Sequence, residues 1–292
     1  MPIASLLAIV DGGPASSAVL AAAVKIGRRC NAYVEVLHVQ LDPDSAIPLI
    51  GEGMSGGMIE QIAADLRRSS EEEAKAARTA YEDACRGVDA QPLEANGKAE
   101  AGKFVLAWRS VTGREDSETA QRALLFDLVI AGRPDPNSDG AYAPALEAAL
   151  FEAGRPVLVV PPGYDGAIGT RTMIGWSGQR ECARAMTAAL PLLASAEAVE
   201  VVHLNGGGAS KRDVDDPHAV VAWLTLHGVD ARSREVPMTE GPGDSLLSTA
   251  AEAGADLLVM GGYGHSRLRE FVLGGATREV LAHTGLPVLM AH

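Results

Sequence analysis

Cysteine is nearly absent from this 292-residue sequence. Cys30, Cys85 and Cys182 are odd in number, far apart and in no CxxC pair, which argues against a disulfide framework or a thiolate zinc site. They read as small buried hydrophobes. Aromatic residues are scarce too, at 4%, but hydrophobic residues at 47% and charged residues at 22% are ordinary globular usage, which excludes disorder and a collagen-like chain. No apolar run reaches the roughly 18 residues that a membrane-spanning helix needs. The opening Met1-Pro2-Ile3-Ala4-Ser5 has no basic n-region, so a soluble, cytoplasmic protein is expected, with no membrane partner. Bases are in deficit: 25 Lys and Arg against 38 Asp and Glu give a net charge of −13, which repels a nucleic acid.

Several catalytic signatures are missing as well. There is no GxxxxGK[ST], which removes the standard P-loop ATPase. Gly264-His265-Ser266-Arg267-Leu268 is not the GxSxG of a nucleophile elbow. His218 and His227 stand nine apart without companion thiolates or a spaced carboxylate, so no metal site is expected. No catalytic residue stands out.

What is present is a duplicated order of segments. Leu6-Leu7-Ala8-Ile9-Val10 reads as a strand ending in the turn Asp11-Gly12-Gly13-Pro14, followed by a helix through Ile26. Tyr33 to Val39 is a second strand, and Met58 to Cys85 one long helix with a charged outer face. The run Ser69-Ser70-Glu71-Glu72-Glu73 belongs to that solvated face. A strand near Val105 to Trp108, a helix from Ser117 to Leu125, a buried strand Phe126 to Gly132, a short helix Pro144 to Glu152 and the strand Pro156 to Val160 follow.

The second half repeats this order. Thr172 to Gly178 matches the opening strand and turn. Ala198 to Leu204 matches the second strand, with His203 falling where His38 fell. Ala255 to Gly261 matches Phe126 to Gly132, and Pro287-Val288-Leu289-Met290 matches Pro156-Val157-Leu158-Val159. Length and repetition predict two domains, 1–163 and 170–292, joined at Pro161-Pro162-Gly163-Tyr164-Asp165-Gly166. Alternating strands and helices predict an α/β fold, each half a parallel sheet with helices on both faces. The first half carries an insertion near residues 41–70.

Ligands of such sheets sit beyond the carboxyl ends of the strands. The richest segment there is Gly261-Gly262-Tyr263-Gly264-His265 through Gly274-Gly275-Ala276-Thr277, where glycines let a backbone approach a ligand and free amides at a helix start can hold phosphate. His265 can add cationic character. Trp176, Ser177 and His203, at strand ends of the same half, join it as candidate cleft residues.

The G-x2-G-x9-G spacing at Gly261, Gly264 and Gly274, with the closing Pro-Val-Leu strand and the Val-Asp-Gly turn after the first strand, resembles the universal stress protein family in two tandem copies. The resemblance implies two Rossmann-like domains of the adenine-nucleotide alpha hydrolase-like kind, each a five-stranded sheet of order 3-2-1-4-5, with last strands pairing as in a dimer. It also implies that the glycine loop holds the phosphates of ATP and that an acid after the first strand, here Asp11, helps hold the adenosine. Neither half is complete. Gly275 replaces the family's hydroxyl residue, with Thr277 two residues on as a substitute, and Ser177 replaces the acid in the second half. After Gly132 the first half continues Arg133-Pro134-Asp135-Pro136 without the second glycine. The expectation is therefore weak binding of ATP or AMP, with Mg only alongside ATP, mainly in the second half of a stress-response sensor. That sensor would be an intramolecular pseudo-dimer, open to further homo-oligomers and to a protein partner that the sequence does not name. A slow ATP hydrolase or phosphotransferase and a ligand-free interaction scaffold stay open as alternatives.

Overall fold

The computed structural model describes residues 2–41, 56–88, 90, 92–95, 100–133, 144–205, 216–238, 241–262 and 275–292. The first half runs β1 (Ser5–Ile9), α1 (Ser16–Cys30), β2 (Tyr33–Leu41), α2 (Gly56–Gly87), β3 (Leu93–Glu94), β4 (Val105–Gly113), α3 (Glu115–Ala123), β5 (Leu128–Gly132), α4 (Pro144–Glu147) continued by a π-helical turn (Ala148–Glu152), and β6 (Val157–Val160). The second half runs β7 (Arg171–Gly175), α5 (Arg180–Leu193), β8 (Ala198–Asn205), α6 (Pro217–Leu226), β9 (Arg232–Pro237), α7 (Pro242–Glu252), β10 (Leu257–Gly261), α8 (Gly275–His283) and β11 (Val288–Ala291).

The strands form one continuous sheet in the order β3-β4-β2-β1-β5-β6-β11-β10-β7-β8-β9. Within each half the neighbours are parallel, and the order is the expected 3-2-1-4-5. The first half departs from five strands by the two-residue edge strand β3, which pairs with β4 at Leu93↔Ala107. The halves join where β6 meets β11 antiparallel, with Val159 opposite Val288 and Leu158 opposite Leu289, all fully buried. Either strand alone would be an apolar edge open to pairing, and each covers the other.

One face of the sheet packs on α1, α2, α5 and α6, and the other on α3, α4, α7 and α8. The repetition extends to individual hydrogen bonds. Asp127 Oδ2 accepts the Ala4 and Ser5 amides at 2.9 and 3.0 Å ahead of β1. Asp256 Oδ1 accepts those of Thr170 and Arg171 at 2.9 and 3.1 Å ahead of β7.

The long helix α2 holds the topological place of α6, the crossover between second and third strands, so its excess is length rather than an added element. Ala77, Tyr81 and Cys85, spaced by four, turn inward and are completely buried. Tyr81 Oη accepts from the Leu93 amide at 2.8 Å and reaches the carbonyl oxygens of Leu93 and Leu106 at 3.0 and 3.1 Å, tying α2 to β3 and β4. In the predicted charged run, Glu71, Glu72 and Glu73 are exposed, but Ser70 is buried and its hydroxyl donates to the carbonyl of Leu41 at the end of β2. Of the cysteines, Cys85 and Cys182 are buried and Cys30 is half-buried. Among the described residues no helix is long and apolar enough to cross a membrane.

Candidate functional site

In each half the order reverses between the first and fourth strands, β1 and β5 or β7 and β10, and the carboxyl ends of these strands mark the crevice. In the first half Asp11 folds into a tight turn. Its Oδ1 accepts the Gly13 amide at 2.8 Å and the Ser16 hydroxyl at 3.0 Å, and Ser16 Oγ accepts the Gly12 amide at 3.0 Å. Gly12 has φ +84°, and a Cβ there would collide with the carbonyl oxygen of Glu73. Helix α2 therefore lies directly on the turn after β1. Glu115, at the start of α3, is pushed up to about 7 by burial first and then by the negative charges of Asp11, Asp116 and Glu73. The first crevice is thus crowded with carboxylates.

The second crevice is built to the same plan with different atoms. Ser177 Oγ lies 3.2 Å from Cys182 Sγ, repeating the five-residue spacing of Asp11 and Ser16. Cys182 Sγ also accepts the Gly261 amide at 3.2 Å and donates to the Gly175 carbonyl at 3.3 Å. Trp176 is half-buried and Ser177 exposed. His203 Nδ1 lies 3.0 Å from the Trp176 carbonyl, as His38 Nδ1 lies 2.9 Å from that of Val10. A carbonyl partner makes Nδ1 the protonated nitrogen in each, so Nε2 is the acceptor when the ring is neutral. His38 Nε2 is buried without a partner, and its ring stacks on Trp108.

Gly261 is closely packed. A Cβ there would come within 2.7 Å of the Cys182 amide nitrogen, just as one at Gly132 would come within 2.6 Å of Ala15 Cβ. Both admit the first helix of their half against the fourth strand. Gly264, His265 and Gly274 lie outside the described residues, as does the continuation of Arg133 through residues 134–139. Among the described residues α8 starts at Gly275, and Thr277 is buried at 3% exposure. Glu279 reaches back from α8 to accept the Gly243 amide at 2.8 Å at the start of α7, with its carboxylate beside Gly275.

Sequence reasoning did not single out Cys182, Glu115 or Glu279. The first was findable, because Ser16 and Cys182 stand five residues after Asp11 and Ser177. The other two depend on helices meeting in space. Among the described residues no group of three His, Cys, Asp or Glu side chains could hold a metal ion.

A model of the universal stress protein family matches residues 135–292. Universal stress protein Slr1230 of Synechocystis sp. is 28% identical over 171 residues, which covers 56% of this chain and 57% of that relative, so the match spans little more than half of either. A universal stress protein structure from Archaeoglobus fulgidus superposes with a TM-score of 0.66 at 14% identity, covering 98% of this chain and 97% of the other. A Pseudomonas aeruginosa structure does so at 0.57 and 15% identity, covering 98% and 92%. At those identities the structures speak for the fold alone. The family match, which takes in more than half of the chain, is independent of them: the protein belongs to the universal stress protein family.

Proposed function

We propose that the protein is a regulatory binding module of the stress response that takes an adenine nucleotide, ATP or AMP, weakly and in its second half. Magnesium accompanies ATP only. The observation that carries this reading is the contrast between the turns that follow the first strand of each half. Asp11 and Glu115, with Glu73 of α2 above them, crowd the first and would repel phosphates, whereas uncharged Ser177 and Cys182 stand at the matching turn of the second, where the neighbouring Glu181 is paired with Arg180. Backbone amides and the positive end of α8 supply phosphate affinity in the second half. The Glu279 carboxylate beside Gly275 and the missing loop hydroxyl keep that affinity low. One hydrogen bond to a charged group is worth about 1.5–3 kcal/mol, roughly ten- to a hundredfold in affinity.

Calorimetric titration of the full chain with ATP and with AMP tests this. One site per chain is expected. Gly275→Ser should tighten it, since a Cβ there meets Glu279 at an ordinary 3.7 Å. Gly264→Val should abolish it while the variant stays folded. Two equivalent sites would overturn the asymmetry, and no binding at all would favour a ligand-free scaffold.

A further inference from the structure

At the opposite end of the second half's sheet, where β7, β8 and β9 begin and α7 ends, a pocket of about 220 Å³ is lined by Arg171, Ala198, Glu200, Arg232, Arg234 and Glu252, with Ala255 beside them. The first half shows what normally fills this place. Glu35 lies opposite Leu7 in the register of β1 and β2, and Glu200 lies opposite Met173 in that of β7 and β8. Arg109 follows by two residues the partner of Glu35 on β4, and Arg234 follows by two the partner of Glu200 on β9. The two Glu–Arg pairs are counterparts.

Around Glu35 the space is full. Arg109 and Arg122 both grip its carboxylate, with Nε to Oε1 distances of 2.7 and 2.5 Å, and the Tyr33 hydroxyl donates to it at 3.1 Å. Burial alone would raise the Glu35 pKa, but the hydrogen bonds and charges of Arg122 and Arg109 outweigh it and hold it below the usual carboxylate range. The ring of Tyr33 stacks on that of Phe126 at 6.4 Å, and the Arg122 guanidinium lies over Phe126 at 5.3 Å. Glu35 is wholly buried as a result.

In the second half that arginine is kept as Arg234, but the two rings are gone. Ala198 stands where Tyr33 stands, each opposite the first residue of its half's opening strand. Ala255 stands where Phe126 stands, each just before the aspartate that caps that strand. Two guanidiniums are added instead, Arg171 in the place of Ser5 and Arg232 in the place of Ala107. Arg234 meets Glu200 only at 3.5 Å and Glu252 at 4.0 Å, and its Nε is buried without a partner. Two aromatic rings have been exchanged for a hollow with three arginines and two glutamates, a locally cationic spot on a chain of net charge −13.

We propose that this pocket binds a small monocyclic aromatic carboxylate. Its carboxylate is held by Arg171, Arg232 and Arg234, whose planar guanidiniums suit such a group, and its ring occupies the space that Tyr33 and Phe126 fill in the first half. About 220 Å³ exceeds the roughly 150 Å³ that accommodates one benzene ring.

The probe is 4-hydroxybenzoate, titrated into the full chain and followed by NMR or calorimetry, with benzoate, acetate and inorganic phosphate beside it. Saturable binding of 4-hydroxybenzoate and of benzoate is expected, and none of acetate at the same concentration. Arg232→Gln should weaken binding roughly ten- to a hundredfold, as loss of a charged hydrogen bond does. Ala255→Phe, which restores the first half's filling, should abolish binding with the thermal midpoint held or raised, and Ala198→Tyr should do the same if the first variant fails to fold. ATP titrations of these variants should match wild type, which separates this pocket from the nucleotide reading. Equal affinity for acetate or phosphate, no 4-hydroxybenzoate binding, or binding that survives both refilling substitutions would overturn the proposal.

Discussion

Glu115 opens α3 among like charges, and its raised pKa makes it a local liability at neutral pH. The folded protein holds the Glu115 proton up to about pH 7, against an ordinary value of 4.5. Its contribution to stability is therefore fully present below about pH 4.5 and is lost as pH rises through 7. Glu115→Gln keeps the shape and removes the charge, so the variant should be the more stable one at pH 8, by up to about 3 kcal/mol, with the gap closing toward pH 5. Chemical denaturation of both proteins at the two pH values measures it, and a gap unchanged between them would show that Glu115 is not the group responsible. Only the adjacent Asp116 is legible in the sequence around Glu115, because Asp11 and Glu73 lie far from it along the chain and its burial depends on the fold.

Among the elements, α2 was the easiest to foresee and its role the hardest. Composition from Met58 to Cys85 predicts a helix, and the structure extends it only to Gly56–Gly87. Which face turns inward also follows from spacing, but that its middle rests on Gly12 does not. The anchor is the Tyr81 hydroxyl, which serves three backbone groups of β3 and β4. Tyr81→Phe strands the Leu93 amide and should destabilise the protein by about 1–3 kcal/mol. Hydrogen exchange should then rise first in β3 and the last turns of α2, and uniform acceleration over both halves would contradict this anchoring. Sequence reading named neither β3, α5 and α7 nor β9, whose Arg-Ser-Arg-Glu-Val-Pro has no apolar run and whose residues are only half-buried or exposed. It is an edge strand, held by pairing to β8 along its whole length.

For the whole molecule, the junction of β6 and β11 turns two half-sheets into one. Further contacts cross it: Arg29 at the end of α1 donates to the Leu192 carbonyl at 2.6 Å and the Ile168 carbonyl at 3.0 Å, and Arg133 donates to that of Ala282 at 2.5 Å. A fragment of residues 170–292 would expose β11 as an apolar edge, with Val288, Leu289 and Met290 still paired to β10 but stripped of their β6 partners. It should dimerise through that edge or aggregate, as sedimentation velocity would reveal. A monodisperse, soluble monomer would show that the junction is dispensable.

Local chemistry determined most of the architecture from the sequence alone. Apolar runs set the buried strands, the turn after β1 and the Pro-Val-Leu strands repeat with the same order, and that order leaves little choice but a doubled α/β fold. The glycine spacing was enough to point to the family. Tertiary structure decided what depends on residues remote in sequence: the antiparallel register of β6 on β11, the descent of α2 onto Gly12, and the packing of Gly261 against Cys182. It decided the arginine pocket too. Ala198 and Ala255 are unremarkable as letters, and they become a vacancy only when superposed on Tyr33 and Phe126 of the other half. A sequence records periodicity and turn chemistry directly, because these act between neighbours, whereas a hollow or a shared charge exists only between groups that folding brings together.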